Sequence, residues 1–275
     1  MTDPAPASRP DWAATLHWGL PWQWHLTACA PMVSQSLARG QGVVELANQI
    51  AQQLPEPTRP GVRFTAQSNL PPGQAYEAFI FQTRLCPSRD NLHDLFNALT
   101  WLVLPRTKAR LNALQAGEIE RCGVVGRRGP LRDALTLFDE NGAVLWAPPA
   151  LRQALVERDW RRLFIEHRAL WAQARLLVFG HALQEKLLQP RKALTAHVYL
   201  PQGQWPCLQM DEALAQEVQA SSWSEKPYWP LPLLGVPGWY LPNENFSFYD
   251  DASVFRPADG KARKPQLEKA RPASI

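Results

Sequence analysis

Apolar residues at positions 43, 46, 47, 50, 51 and 54 recur every three or four residues, which predicts an amphipathic helix over Val43–Leu54, stopped by Pro55-Glu56-Pro57. The strongest such stripe is Leu92, Leu95, Phe96, Leu99, Leu102 and Val103, a helix over Asp90–Leu104 with Asp90 placed to cap it. Pro105 ends that helix and is suited to open a second one reaching about Glu120, so the two form an antiparallel or sharply angled pair. Tyr76–Thr83, rich in Tyr, Phe and Ile, reads as a short strand. Asp139-Glu140-Asn141-Gly142, set between Leu135/Leu137 and Val144/Leu145, carries the Asn-Gly signal of a hairpin turn.

Further along, Pro148–Leu188 reads as two or three helical segments with Trp160, Leu163, Phe164, Leu170, Trp171, Leu177 and Val178 as core candidates. Ala193–Leu200 reads as a strand, and Asp211–Ala220 as a short helix capped by Asp211. Five prolines between Pro227 and Pro242 forbid a long helix there, while the aromatic residues from Tyr228 to Tyr249 are too numerous to leave wet. The expected architecture is therefore mainly α with small β elements (α+β). A single helical domain over residues 11–257 is wrapped by its irregular, Pro- and aromatic-rich C-terminal segment, and flanked by a disordered start (1–10) and a disordered basic tail (258–275).

Composition sharpens this picture in two places. The 275 residues include 26 Pro and 12 Trp, and a 45% hydrophobic content excludes a wholly disordered or fibrous chain. The net charge is +4, and all of it falls within Arg256–Ile275, which has six basic and two acidic residues. The remainder is formally neutral, unlike a folded nucleic-acid-binding domain, so contact with nucleic acid is expected only through the tail. Cys29, Cys86, Cys122 and Cys207 form no close pair, which suits reduced thiols in the cytoplasm. The longest apolar run, Ala98–Leu104, is far short of the ~20 residues that span a bilayer, so no membrane partner is expected.

Three groups of residues carry possible chemistry. His93, Asn97 and Thr100 share one face of the Asp90 helix, and Lys108 and Asn112 share a face of the next; antiparallel packing puts His93, Asn97, Lys108 and Asn112 along one groove. A His base beside a Lys that holds an anionic group is workable chemistry on a small-molecule ligand. Asp133, Asp139 and Glu140 offer oxygen ligands to a divalent cation, but no calcium-loop pattern surrounds them, and a structural Arg–Asp network about a hairpin is the better reading. His181 and Glu185 stand one helical turn apart, a spacing that lets imidazole and carboxylate converge on a divalent metal, with His197 as a third ligand. Walker, Gly-x-Gly-x-x-Gly and Gly-x-Ser-x-Gly signatures are absent.

The blocks Arg89–Leu99, Trp101 with Pro105–Lys108, Arg132–Glu140, Phe179–Ala182 and Pro190–His197 occur in a fixed order. Pro230–Pro232, Gly235–Trp239, Phe248–Asp251 and Val254–Pro257 continue it. Together they resemble the proteobacterial domain-of-unknown-function family 3025 over about residues 60–257. The resemblance implies a bacterial protein and one-domain coverage, and carries over no mechanism and no catalytic residues. Two readings follow from the residues themselves. One is a hydrolase-like enzyme with His93, Asn97, Lys108 and Asp133 in a catalytic pocket and His181, Glu185 and His197 on a metal. The other is a non-enzymatic binding or scaffold protein that docks through the Trp/Pro-rich segment.

Overall fold

The computed structural model describes residues 11–123, 129–202 and 209–258. The start (1–10), Cys207 and all of the basic tail beyond Ala258 lie outside the described residues. Within them the helices are α1 (Ala30–Ala38), α2 (Val43–Gln53), α3 (Tyr76–Thr83), α4 (Leu92–Val103), α5 (Pro105–Cys122), α6 (Pro130–Asn141), α7 (Pro149–Glu157), α8 (His181–Lys186), α9 (Met210–Glu217) and α10 (Ala220–Trp223). The strands are β1 (Arg63–Ala66), β2 (Leu85–Ser88), β3 (Gly142–Trp146), β4 (Arg175–Val178), β5 (Thr195–Tyr199) and β6 (Trp229–Pro232). The chain is mainly α with small β elements.

β1 and β2 form a parallel pair, and the others a four-stranded sheet in the order β4-β3-β5-β6 with β3 parallel to β5 and the outer pairings antiparallel. Alternation along the strands buries both faces of that sheet. Ala143, Leu145, Leu176, Val178, Ala196 and Val198 join a core with α7 and the C-terminal segment. Val144, Trp146, Leu177 and Tyr199 face Leu135 and Phe138 of α6, with Trp223. A third core gathers α1, α2, β1 and the Leu95/Leu99 stripe of α4.

Several expectations are corrected here. Tyr76–Thr83 is α3 and not a strand, because β1 and β2 run parallel and their link must cross over. The predicted hairpin at Asn141-Gly142 is a helix-to-strand junction. Pro130 opens α6, and Leu131, Ala134, Leu135 and Phe138 bury one helical stripe up to Asn141. Gly142 is needed there because the Phe138 ring and carbonyl fill the space a Cβ would take.

Leu177 and Val178 lie on β4, and the segment before it, Arg162–Gln173, is tight π and 3-10 turns. α4 is capped by Asn91, which accepts from Asp94 N at 2.8 Å, while Asp90 caps α2 by accepting from Val43 N at 2.6 Å. Asp211 likewise caps a different helix from the one expected, accepting from Arg106 N and Thr107 N at the start of α5.

The C-terminal segment does wrap its own domain. Tyr249 and Phe255 are buried, Trp229, Trp239, Tyr240 and Phe248 pack against the same core, and Leu241 and Phe246 are its exposed large apolar side chains. Such a small remainder gives the scaffold reading little apolar surface to dock with.

His25 is buried with no hydrogen-bond partner for either ring nitrogen among the described residues, and burial pulls its imidazole down to about 3. The unfolded chain takes that proton below its ordinary value of 6.5 while the native chain does not. The associated stability is therefore complete above pH 6.5 and drains away between 6.5 and 3, by at most about 1.4 kcal/mol per pH unit. Urea unfolding at pH 7.5 and 5.0 should show an acid-induced loss about 2 kcal/mol smaller in His25→Leu than in the parent chain; identical losses would mean that His25 titrates normally in the native state.

Candidate functional site

Pairing of β3 with β4 aligns Ala143 with Val178, so the residues just outside the pair, Asn141-Gly142 and Phe179-Gly180, also meet. The Gly142 carbonyl accepts from both Phe179 N (3.0 Å) and Gly180 N (2.8 Å). The last turn of α6 is thus held against the first turn of α8, which brings Glu140 beside His181. Gly180 is the residue that permits this approach, since an added Cβ would lie 2.5 Å from Asn141 N and from the Glu140 carbonyl. On α8, the buried Gln184 amide donates to Thr100 Oγ1 (3.2 Å) on α4 and to the Val178 and Phe179 carbonyls (3.2 and 3.1 Å). That tie sets α8 against α4 and His181 against His93.

Three side chains from three helices then converge. His93 Nε2 and His181 Nε2 are 3.1 Å apart, and Glu140 Oε2 is 3.6 Å from His181 Nε2. One ligand atom from each of His93, Glu140 and His181 lies within 4.8 Å of the other two. At zinc–nitrogen bonds near 2.05 Å, tetrahedral ligand atoms sit about 3.3 Å apart, and the two short separations bracket that value.

Behind this triad the free ring nitrogens have carboxylate company. Glu185 Oε2 lies 3.3 Å from His93 Nδ1, and Asp139 Oδ2 lies 3.9 Å from the buried His181 Nδ1. When His93 Nδ1–H donates to Glu185, its Nε2 presents a lone pair toward His181, the arrangement by which a carboxylate orients a metal-bound histidine. Burial pulls the His181 imidazole down to about 3 against the opposing pull of Asp139, which keeps it neutral and able to ligate.

Asp139 is itself anchored. Lys108 Nζ donates to Asp139 Oδ1 (2.5 Å) and to Asn97 Oδ1 (2.9 Å), and lies 5.5 Å from the Trp101 ring centre. Burial alone would raise the Asp139 carboxyl; the Lys108 ammonium, followed by His181, holds it below the usual range. Glu140 moves the other way, raised by burial and then by the neighbouring Asp139 charge. The order continues from Asn97 Nδ2 to Tyr76 Oη (3.2 Å), which reaches Cys86 Sγ (3.4 Å) and the Pro87 carbonyl. Asn112 donates to Glu77 Oε2 (2.6 Å), whose carboxyl burial raises. His93, Glu140 and His181 open into a cleft of about 490 Å³, lined also by Tyr76, Glu77, Arg89, Asn97, Arg132, Thr136 and Asp139.

A family model described as a protein of unknown function (DUF3025) matches residues 62–259, which include the whole cleft. The chain belongs to this family. No curated protein and no solved structure matches it.

In this family member the residues singled out from sequence divide clearly. His93, Asn97, Lys108, His181 and Glu185 are brought together, although Glu185 meets the ring nitrogen of His93 that faces away from His181. Asp133 is not part of the group. One residue on from Arg132 it turns about 100° round α6 and pairs with Lys226 at 2.5 Å. His197 stands on β5 with its ring centre 6.4 Å from that of Tyr228, does not line the cleft, and is lowered by burial and then by Lys226. Glu140, expected beside a turn as an oxygen ligand with Asp133 and Asp139, instead stands on α6 next to His93 and His181. The signal that places it was available, namely Leu131, Ala134, Leu135 and Phe138 at helical spacing after Pro130, which puts Arg132, Thr136, Asp139 and Glu140 on one face.

Proposed function

We propose that the chain is a metal-dependent hydrolase whose divalent ion, best matched by zinc, is held by His93, His181 and Glu140. The observation that carries this reading is the 3.1 Å approach of two imidazole Nε2 atoms, each in a ring whose other nitrogen faces a carboxylate. With Nδ1 protonated on both rings, two lone pairs oppose one another, and a cation between them resolves the repulsion.

Two histidines and a glutamate leave a fourth position open toward the cleft. Held there by His93, His181 and Glu140, an ion would supply Lewis-acid chemistry, activating water for attack and polarising the bond to be cleaved. Glu185 orients His93, Lys108 holds Asp139 while donating also to Asn97, Asp139 lies 3.9 Å behind His181, and the cleft admits a small-molecule ligand. Cys29, Cys86 and Cys122 are free thiols, which supports a reducing, cytoplasmic setting. No helix among the described residues is long and apolar enough to cross a membrane.

The test is hydrolysis of a panel of nitrophenyl esters and phosphoesters by chain stripped of metal and reloaded with zinc, manganese or nothing. Activity that appears with the ion and disappears with chelator is expected. Hydrolysis indifferent to chelator would sink the metal mechanism.

A further inference from the structure

Arg132, Thr136, Asp139 and Glu140 occupy positions i, i+4, i+7 and i+8 on α6 and all line the cleft. The positive charges near this wall are differently committed. Arg89 is held by Asp94 through two parallel contacts of 3.0 and 3.1 Å, and Lys108 is held by Asp139 and Asn97. The Arg132 side chain makes no hydrogen bond or ion pair among the described residues, and its Nε is buried without a partner. Its charge is felt by Glu77 and Glu118, each of which it lowers, but Glu77 is bonded to Asn112 and Glu118 to Arg121. A guanidinium with its donors unspent, in the wall of a small-molecule cleft, is suited to grip an anionic oxygen pair in a forked contact.

Resting on the metal-hydrolase reading, we propose that the substrate is an elongated small molecule with a terminal anionic group, a carboxylate or a phosphate, which Arg132 holds while the bond to be cleaved lies at His93, His181 and Glu140. The spacing sets the length. Eight residues of helix separate Arg132 from Glu140, about 12 Å of rise, so the anion sits on the order of 10 Å from the reacting bond. A polyanion such as nucleic acid does not fit, because Asp94, Asp139 and Glu140 line the same cleft beside a single uncommitted cation among the described residues.

Straight-chain hydroxamates test this directly, since the hydroxamate grips zinc and the far end is free to vary. The probes carry a terminal carboxylate, phosphonate or methyl ester on spacers of about four, six and eight methylenes, matched to that rise. Their affinities are measured by calorimetry on the zinc-loaded chain and on its Arg132→Gln and Arg132→Lys variants. One of the two anionic series should bind about tenfold or more tighter than the ester at the longer spacers, and which one does so identifies the anion. The preference should vanish in Arg132→Gln and survive in part in Arg132→Lys, with zinc content and ester affinity unchanged in both. Equal binding of anion and ester by the parent chain, or an undiminished preference in Arg132→Gln, would overturn the inference while leaving the metal reading in place. Failure of the parent chain to hold zinc and to bind any hydroxamate would overturn both.

Discussion

His181→Ala is expected to abolish tight zinc binding and with it any chelator-sensitive hydrolysis. His181 supplies one of the two facing Nε2 atoms, and no other histidine among the described residues lies within reach of His93 and Glu140. Loss of an outer partner of a metal site typically costs about 10–100-fold in affinity, and loss of a direct ligand should exceed that. Glu185→Gln provides the graded comparison. It removes the carboxylate behind His93 and spares the three ligands, so its affinity should fall within the 10–100-fold range. Zinc titration with a competing chelator measures both. Similar affinities for parent and His181→Ala would show that zinc binds elsewhere, for which the exposed Cys122 thiol is an available alternative. Because His181 packs in an interior position, circular dichroism of the metal-free proteins serves as the control for folding.

Asp139→Ala should be the most destabilising single change near the cleft. The Lys108 ammonium and the Asp139 carboxylate are both largely buried, with side chains 5% and 13% exposed. Removing one partner of a buried pair strands the other charge and typically costs about 3–5 kcal/mol, a large share of the 5–15 kcal/mol that hold an average domain together. Asn97 and the face of Trp101 remain beside Lys108 after the change, but neither carries a compensating negative charge. The double variant Lys108→Met with Asp139→Leu removes both charges and should recover most of the loss. Urea unfolding of the metal-free proteins gives the comparison. A cost below about 1 kcal/mol for Asp139→Ala, typical of exposed ion pairs, would mean that the pair is solvated in solution.

How far the sequence led depends on the range over which each signal acts. The stripes of α2 and α4, the proline that opens α5 and the proline stops are local, and the structure reproduces them within a few residues. The alignment of His93, Asn97 and Lys108 followed from those stripes, because two helices joined at Pro105 leave few ways to place their polar faces. The junction at Asn141-Gly142 was misread because an Asn-Gly pair looks the same in a two-residue turn and at a helix end. The choice is settled by the Phe138 ring, which packs where a Cβ would be. That error hid the helical face that sets Glu140 apart from Asp133. The meeting of Glu140 with His181 depends on the β3–β4 register, a contact between segments about 40 residues apart that no local pattern reports. His197 shows the converse: it follows His181 closely in the chain, yet its strand turns it toward Tyr228. Helical spacing after Pro130 puts Arg132 on the face of Asp139 and Glu140, but no sequence pattern reports that its side chain lacks a partner among the described residues.

X-ray absorption at the zinc edge of the metal-loaded parent chain is the most direct test of the triad. The spectrum should show one ion per chain with two imidazole nitrogens at about 2.0–2.1 Å and light oxygen scatterers completing the shell. Sulfur at about 2.3 Å, a single imidazole, or a spectrum unchanged in His93→Ala would contradict it.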